Sequence, residues 1–321
     1  MIVITGASGF IGSCLLEKLN REGFNDIIIV DDFSIPQKQQ NIVFKRYKAQ
    51  IDKTDFLEWL RSNTEEIEMI FHFGAISDTT IMDVCLFNKW NLDYSKSIWK
   101  SCVEMKIPFI YASSAATYGD GSNGFNDDES QLLILRPLNP YGESKHNFDL
   151  WALGEKQKPP FWTGLKFFNV YGPNEYHKGK MASMVFHAYN QIMQFGQLSL
   201  FKSYKDGFSD GNQLRDFIYI KDILDICLWL CKTKENSGII NIGTGISSSF
   251  NQLGEAVFKA LEMPVNIKYI EMPDNLKDKY QYYTEANISK LRKIGYKKSF
   301  TTLESGIEDY VINYLKRGAF Y

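Results

Sequence analysis

Cysteine and histidine are scarce in this chain, with five and four among 321 residues. Cys14, Cys85, Cys102, Cys227 and Cys231 are odd in number, scattered and free of any Cys-x-x-Cys pair. That excludes a disulfide framework and a zinc knuckle. Cys227 and Cys231 share a helix face, yet no histidine or third cysteine stands at ligand spacing, so all five read as free thiols. His72, His146, His177 and His187 are too dispersed for zinc, and no metal is expected. A long hydrophobic run is also missing. The longest candidate, 223–231, is interrupted by Asp225 and falls well short of the roughly 20 residues that span a bilayer. Charge of one sign is missing too. A formal net charge of -2 gives no electrostatic case for nucleic acid or an anionic membrane. There are no repeats, low-complexity tracts or Pro/Gly-rich linkers. The first residues read as a strand and a glycine loop rather than a signal segment, so the expected compartment is the cytoplasm.

What is present is an ordinary globular composition, 44% hydrophobic and 23% charged, on a chain long enough for two lobes. Ile2-Val3-Ile4 is a β-branched run, Gly6-x-x-Gly9-x-x-Gly12 a loop, and Phe10 to Leu19 has helical apolar spacing. A second strand, Ile27 to Val30, ends on Asp31-Asp32. The unit is strand, glycine turn, helix, strand, with carboxylates about 20 residues beyond the glycines. Glycines let backbone N–H groups approach a pyrophosphate, and the helix N-terminus adds partial positive charge. Asp31 falls where a ribose hydroxyl is held, which favours NAD; Lys38, in the polar stretch that follows, could meet a 2′-phosphate, so NADP stays open.

Further along, Met69 to His72 reads as a strand ending in Gly74-Ala75, before a long helical pattern containing Asn91 and Tyr94. Lys106 to Ala112 is the next strand and delivers Ser113 and Ser114 at its carboxyl end, where ligands of doubly wound sheets bind. Tyr141 and Lys145 are four apart, on one face of a helix beginning near Pro140. An ammonium beside the phenol favours phenolate and makes Tyr141 a base. The hydroxyl of Ser114 would hold the substrate oxygen. The plainer alternative is a surface pair on a helix. Leu165 to Asn169 is another strand, broken by Tyr171-Gly172-Pro173. Strands thus alternate with helices to about residue 170, predicting an α/β fold with a doubly wound parallel sheet.

The second half is less regular. Helices are expected over 181–194, 222–231 and 304–317, strands at 215–220 and 239–242, and a polar loop over 202–214. The predicted organisation is a dinucleotide-binding domain over 1–168 with return segments about 215–245, and a smaller α/β substrate lobe mainly over 169–321.

Taken together, Gly6-x-x-Gly9-x-x-Gly12, Asp31, Gly74-Ala75, Ser114, Tyr141-x-x-x-Lys145, Asn169-Val-Tyr-Gly-Pro173 and Arg215-Asp216-Phe217 resemble the extended short-chain dehydrogenase/reductase family of nucleotide-sugar enzymes over essentially the whole chain. The resemblance implies a Rossmann domain for a nicotinamide cofactor and a C-terminal lobe for a nucleotide-sugar. Dehydratases of that family carry an Asp-Glu pair directly after the active-site Ser or Thr; here Ala115 and Ala116 stand there, which leaves epimerases and reductases. Phe168 to Pro173, His177-Lys178-Gly179, Met181-Ala182-Ser183, His187 and Tyr280-Gln281 resemble more narrowly the members that epimerise an ADP-heptose. That likeness implies bound NADP, with NAD possible, at Gly6, Gly9, Phe10, Ile11, Gly12, Asp31, Asp32, Lys38, Lys53, Phe73, Gly74, Ala75, Ile76, Ser77, Asn91, Lys145, Val170 and Lys178. It implies substrate contacts at Ser114, Asn169, Lys180, His187, Phe201, Arg215 and Tyr280, and a homo-oligomer. Phe73 and Lys180 depart from the family pattern, which has a carboxylate and a serine there.

Epimerisation at a non-acidic carbon needs proton handling on two faces, so Lys178 has a role that Tyr141 cannot fill alone; a solvated loop lysine is the plainer option. Arg215 suits phosphate, or more plainly an ion pair with Asp216. Two rivals remain: a UDP-hexose 4-epimerase or reductase on the same fold, and a non-catalytic dinucleotide sensor.

Overall fold

The computed structural model describes residues 1–63, 65–277 and 280–321. Its strands are β1 (Ile2–Thr5), β2 (Ile27–Asp31), β3 (Ala49–Asp52), β4 (Met69–His72), β5 (Phe109–Ser114), β6 (Trp162–Phe167), β7 (Asn169–Tyr171), β8 (Leu198–Phe201), β9 (Leu214–Tyr219), β10 (Gly238–Ile242), β11 (Ser247–Ser249) and β12 (Ile267–Ile270). Seven form the central sheet in the order β3-β2-β1-β4-β5-β6-β10, parallel throughout. Strand order reverses between β1 and β4, and the crevice outside the carboxyl ends of such strands is where a ligand belongs.

Apolar runs in β1 and β2 are buried along their length, as a sheet covered on both faces requires. Alternate residues serve opposite cores. Ile2, Ile4, Ile27 and Ile29 join one face; Val3, Ile28 and Val30 join the other with Phe56, Trp99 and Phe148. The first core continues without a break into the C-terminal lobe through Phe217, Leu200, Leu253 and Tyr310. The lobes share one apolar interior, which is why no linker is visible in the sequence.

Several boundaries differ from expectation, each for a local reason. The strand expected over 165–169 is two: Phe168 donates its N–H to the Ile242 carbonyl (3.0 Å), and Asn169 then starts β7, which pairs with β9 instead of the main sheet. β9 therefore lies outside the central sheet, which the chain rejoins after the helix Ile220–Thr233 at β10. The strand expected from Lys106 begins only at Phe109, because Lys106 sits at φ +55° and closes the preceding helix. The helix expected from 181 starts at Met184, where the Ser183 hydroxyl caps the Phe186 N–H. The pattern around Asn91 is helical from Val84 to Glu104 with a wider π turn over Asn88–Asp93, a feature frequent beside functional sites.

Candidate active site

A cavity of about 630 Å³ lies between the carboxyl ends of the central strands and the C-terminal lobe. At its floor the glycine turn is pressed against its neighbours. A Cβ on Gly6 (φ +69°) would stand 2.6 Å from the Gly74 N, and one on Gly12 would stand 2.2 Å from the Gly6 carbonyl oxygen. Only bare backbone fits; the N–H groups of Gly6, Ala7 and Gly9 are spent on the Val30 and Gly6 carbonyls, and the turn leads directly into the N-terminus of the helix Phe10–Arg21, the kind of end that suits a pyrophosphate. Asp31 closes the turn: its Oδ2 accepts the Ser8 N–H at 2.8 Å, and its Oδ1 accepts the Lys38 ammonium at 3.1 Å. A second recess of about 260 Å³ opens beyond Asp31 between Ile35, Lys53, Trp90 and Tyr94. Lys53 pairs with Asp32 at 2.8 Å, holding that carboxyl well below the usual range through the ammonium and Ser34. The Lys53 ammonium also lies 4.7 Å from the Trp90 ring centroid. A carboxylate beside the cradle and a flat aromatic wall beyond it match the ribose and base of an adenine dinucleotide.

The helix Pro140–Gly154 begins on Asn139, whose side chain accepts the Gly142 N–H at 2.8 Å. A Cβ on Gly142 would lie 2.9 Å from the Ala116 carbonyl oxygen, so the helix start rests on the turn after β5 and brings Tyr141 over Ser114. The Tyr141 ring is backed by Phe87 at 6.3 Å. Lys145 is buried and gives its ammonium to the Ala112 carbonyl at 2.9 Å; burial pushes it down to about 8, against the pull of Asp149. The expected lowering of the Tyr141 phenol by Lys145 is not what this arrangement produces. Burial raises the phenol, and the group opposing that rise is the Ser114 hydroxyl, because the lysine faces a carbonyl instead.

Behind these residues lies a dry polar network. Asp149, on the same helix, accepts the Lys166 ammonium and the Ser113 hydroxyl, each at 2.7 Å, and the Tyr111 hydroxyl at 2.9 Å. Both members of the ion pair are fully buried, and Lys166 also donates to the Thr117 hydroxyl at 2.6 Å. Both carboxylate oxygens have a donor and the ammonium has two acceptors, as a buried charge requires. The network fixes β5, β6 and the helix in one register beneath Ser114 and Lys145.

Across the cavity, the turn Tyr176–Met181 presents Lys178, whose ammonium is 5.6 Å from the Phe10 ring centroid. Burial lowers its pKa, with the Glu175 carboxylate opposing.

The sequence-derived cofactor residues Gly6, Gly9, Phe10, Ile11, Gly12, Asp31, Lys38, Phe73, Gly74, Ala75, Ile76, Ser77, Lys145, Val170 and Lys178 line the larger cavity with Ser114, Tyr141 and Asn169. Asp32 and Lys53 line the smaller one. Asn91 lines neither and acts through backbone: it bonds both the N–H and the carbonyl of Ile76 at 2.9 Å and donates to the Ser144 hydroxyl at 3.0 Å. Of the substrate candidates, Phe201, Arg215 and Tyr280 form a separate cluster. Arg215 is buried between Tyr280 (5.4 Å) and Phe250 (5.7 Å), and Phe201 meets Tyr280 edge-on at 6.3 Å. Phe250 also lines the larger cavity, joining the two. Arg215 makes no ion pair with Asp216, whose carboxylate instead accepts the N–H groups of Thr244, Gly245 and Ala286. Lys180 and His187 lie together outside the lining, the imidazole Nε2 being 3.3 Å from the Lys180 carbonyl. Among the described residues no His, Cys, Asp and Glu group is placed to hold a metal, and no helix is long and apolar enough to cross a membrane.

Sequence reasoning missed Trp90, His177, Phe217 and Phe250 as lining residues, and the pair Asp149–Lys166. Asp149 had a signal: it continues the Tyr141, Lys145 spacing by one more turn.

Glycine cradle, acidic strand end and Tyr/Lys helix together define a dinucleotide-dependent enzyme of the short-chain type, and the chain belongs to the NAD dependent epimerase/dehydratase family, whose pattern matches residues 2–243. Among its relatives, the ADP-L-glycero-D-manno-heptose-6-epimerase of Fusobacterium nucleatum subsp. nucleatum is 50% identical, over 99% of this chain and 98% of that one. The protein of the same name from Nitratidesulfovibrio vulgaris is 45% identical over 98% of each. The crystal structure of the Helicobacter pylori ADP-L-glycero-D-manno-heptose-6-epimerase superposes with a TM-score of 0.82 at 30% identity, covering 97% of this chain and 95% of that one. A UDP-N-acetylglucosamine 4-epimerase from Methanobrevibacter ruminantium superposes at 0.83 with 24% identity over 98% of each chain, a likeness of fold.

Proposed function

We propose that the chain epimerises ADP-D-glycero-D-manno-heptose to ADP-L-glycero-D-manno-heptose without net oxidation, in the route to the heptose of bacterial lipopolysaccharide. The observation that carries this reading is that Tyr141 and Lys178, two groups able to move protons, face one cavity with the glycine cradle, while Ala115 and Ala116 leave no acid and base for dehydration. The names of the full-length relatives support the sugar.

A nicotinamide dinucleotide, when bound, supplies reversible hydride transfer at the sugar carbon. The protein supplies placement and proton traffic. Ser114 holds the reacting oxygen; one of Tyr141 and Lys178 takes the hydroxyl proton as the carbonyl forms, and the other returns a proton once the carbonyl has turned its opposite face. Lys145, which lines the same cavity, would help hold the dinucleotide. The directions of the shifts favour one division of these roles: burial keeps Tyr141 protonated, as the group that returns a proton, and makes Lys178 readier to be the neutral group that accepts one. Arg215, a buried guanidinium with no carboxylate partner among the described residues, serves the diphosphate with Asn169, Phe201, Tyr280, Lys180 and His187 completing the nucleotide-sugar subsite. In this division 1–168 with the returning strand β10 serves the cofactor, and 169–321 mainly the substrate.

We favour NADP as the cofactor, with NAD as the alternative. Lys38 neutralises Asp31, and Lys53 lies close by on Asp32, which suits a 2′-phosphate. We also place the chain in the cytoplasm and expect it to self-associate; Leu133, Ile134 and Leu138 form an exposed apolar stretch available for that. Light scattering showing only monomer would refute self-association. The functional test is incubation with the ADP-heptose, with UDP-glucose and UDP-galactose as controls, read by NMR. Inversion of the ADP-sugar alone supports the reading; turnover of only the UDP-sugars refutes it.

A further inference from the structure

Glu175 has no part in the chemistry above, yet it is completely buried. It follows Asn174, a non-glycine residue held at φ +73° and itself fixed by the Ser13 hydroxyl at 2.9 Å. The Glu175 carboxylate accepts the Gly172 N–H at 3.2 Å, the Ser183 hydroxyl at 2.7 Å and the Ser183 N–H. Gly172 directly follows β7, and Ser183 caps the next helix. One side chain therefore fastens both ends of the 172–183 segment, and its own carbonyl accepts the Lys178 N–H at 2.9 Å. A fully buried carboxyl group that must be met by three donors is costly to retain by accident of packing.

We infer that Glu175 is the positioning residue for Lys178: its carboxylate closes the 172–183 segment on itself and holds the ammonium-bearing turn in the cavity against Phe10. The inference rests on the proposed role of Lys178 in proton transfer. Groups facing Glu175 are Lys178 and Tyr176 on its own segment, Cys14 on the helix Phe10–Arg21 and Tyr310 on the helix Leu303–Tyr310; His177 faces Lys178. The Tyr310 hydroxyl is buried with no hydrogen-bond partner. Of these, Lys178 is the only cation and the only one lining the cavity besides His177. Removing the carboxylate both loosens the turn and withdraws the one anion that favours the ammonium, so Lys178 should titrate at lower pH.

Glu175→Gln supplies the test, because its amide places a donor against the Ser183 donors. The expected result is a fall in kcat of about a hundredfold, as a displacement near 1 Å of a reacting group produces, with KM and cofactor affinity within about threefold and the Lys178 limb of the kcat pH profile moved to lower pH. Placed in a Lys178→Met background, Glu175→Gln should cost no further kcat. Wild-type kcat and pH profile in Glu175→Gln, or an equal additional loss in the Lys178→Met background, overturns the inference. Wild-type turnover by Lys178→Met alone would instead remove Lys178 from its role. If Glu175→Gln does not fold, Ser183→Ala takes its place: a several-fold lower kcat at unchanged KM supports the clamp, and wild-type kcat overturns it.

Discussion

At the scale of single residues, the site works through burial more than through paired charge. Tyr141 is raised by burial and relieved by Ser114, so no neighbour has already ionised it and it stands ready as a proton donor. Tyr141→Phe removes that proton and should lower kcat by about 10²- to 10⁴-fold, with cofactor binding by fluorescence titration unchanged. Lys145, pushed down to about 8, loses its charge as pH rises through that value. Turnover should therefore decline on the alkaline side with an apparent pKa near 8, and a flat profile to pH 9.5 would exclude a role for the ammonium. What was legible here was residue identity, because Tyr141 and Lys145 declare themselves by helical spacing. The direction of the phenol's shift was not legible, since it depends on where the Lys145 ammonium points, and the Ala112 carbonyl that captures it is more than 30 residues away. Arg215 shows the same limit. Its neighbour in sequence, Asp216, is consumed by the backbone of Thr244, Gly245 and Ala286, and only the fold shows that the two make no ion pair.

At the scale of elements, the helix Pro140–Gly154 is a lever fixed at both ends. Asn139 and the close contact of Gly142 with Ala116 hold its start, and Asp149 holds its third turn to β5 and β6. Asp149→Asn leaves the Lys166 ammonium buried and uncompensated, and should cost about 3–5 kcal/mol in chemical denaturation. The double variant Asp149→Asn/Lys166→Met should recover part of that loss, a non-additivity expected of partners in one network. The first strand-turn-helix element makes a sharper prediction. Gly12→Ala drives a methyl into the Gly6 carbonyl at 2.2 Å, so dinucleotide affinity should collapse in isothermal titration while far-UV circular dichroism stays native. This element was readable because glycine spacing encodes a backbone constraint directly. The split of the 165–169 strand was not, since Phe168 is as apolar as its neighbours: its N–H makes a last bond to the sheet at Ile242 while its ring packs on Tyr118 and Phe125, and the chain departs from there.

At the scale of the whole molecule, the two lobes are one cooperative body because their core is continuous, and a single unfolding transition is expected. Its pH dependence follows from buried imidazole. Burial pushes His72 down from 6.5 to about 3. Above 6.5 folded and unfolded chains both hold it neutral; as pH falls below 6.5 the unfolded chain takes up a proton that the folded one refuses, so stability declines until about 3. His177, pushed down to about 4 by burial, adds a second decline of the same sign. The midpoint of thermal unfolding should drop between pH 6.5 and 4.5, less steeply in His72→Gln, and an unchanged midpoint would contradict the burial of that ring. The parallel sheet and its glycine cradle were legible from alternation of strand and helix, whereas the membership of β9 in the second sheet was not, because its apolar pattern suits either.

The central claim is that one cavity removes hydrogen from a sugar carbon and restores it to the opposite face without releasing it to solvent. Turnover of ADP-D-glycero-D-manno-heptose in deuterium oxide, followed by NMR of the product, measures this directly. The account predicts inversion with no deuterium on the inverted carbon and no net change in reduced-nicotinamide absorbance. Deuterium on that carbon, or a heptose returned with its configuration intact, would contradict it.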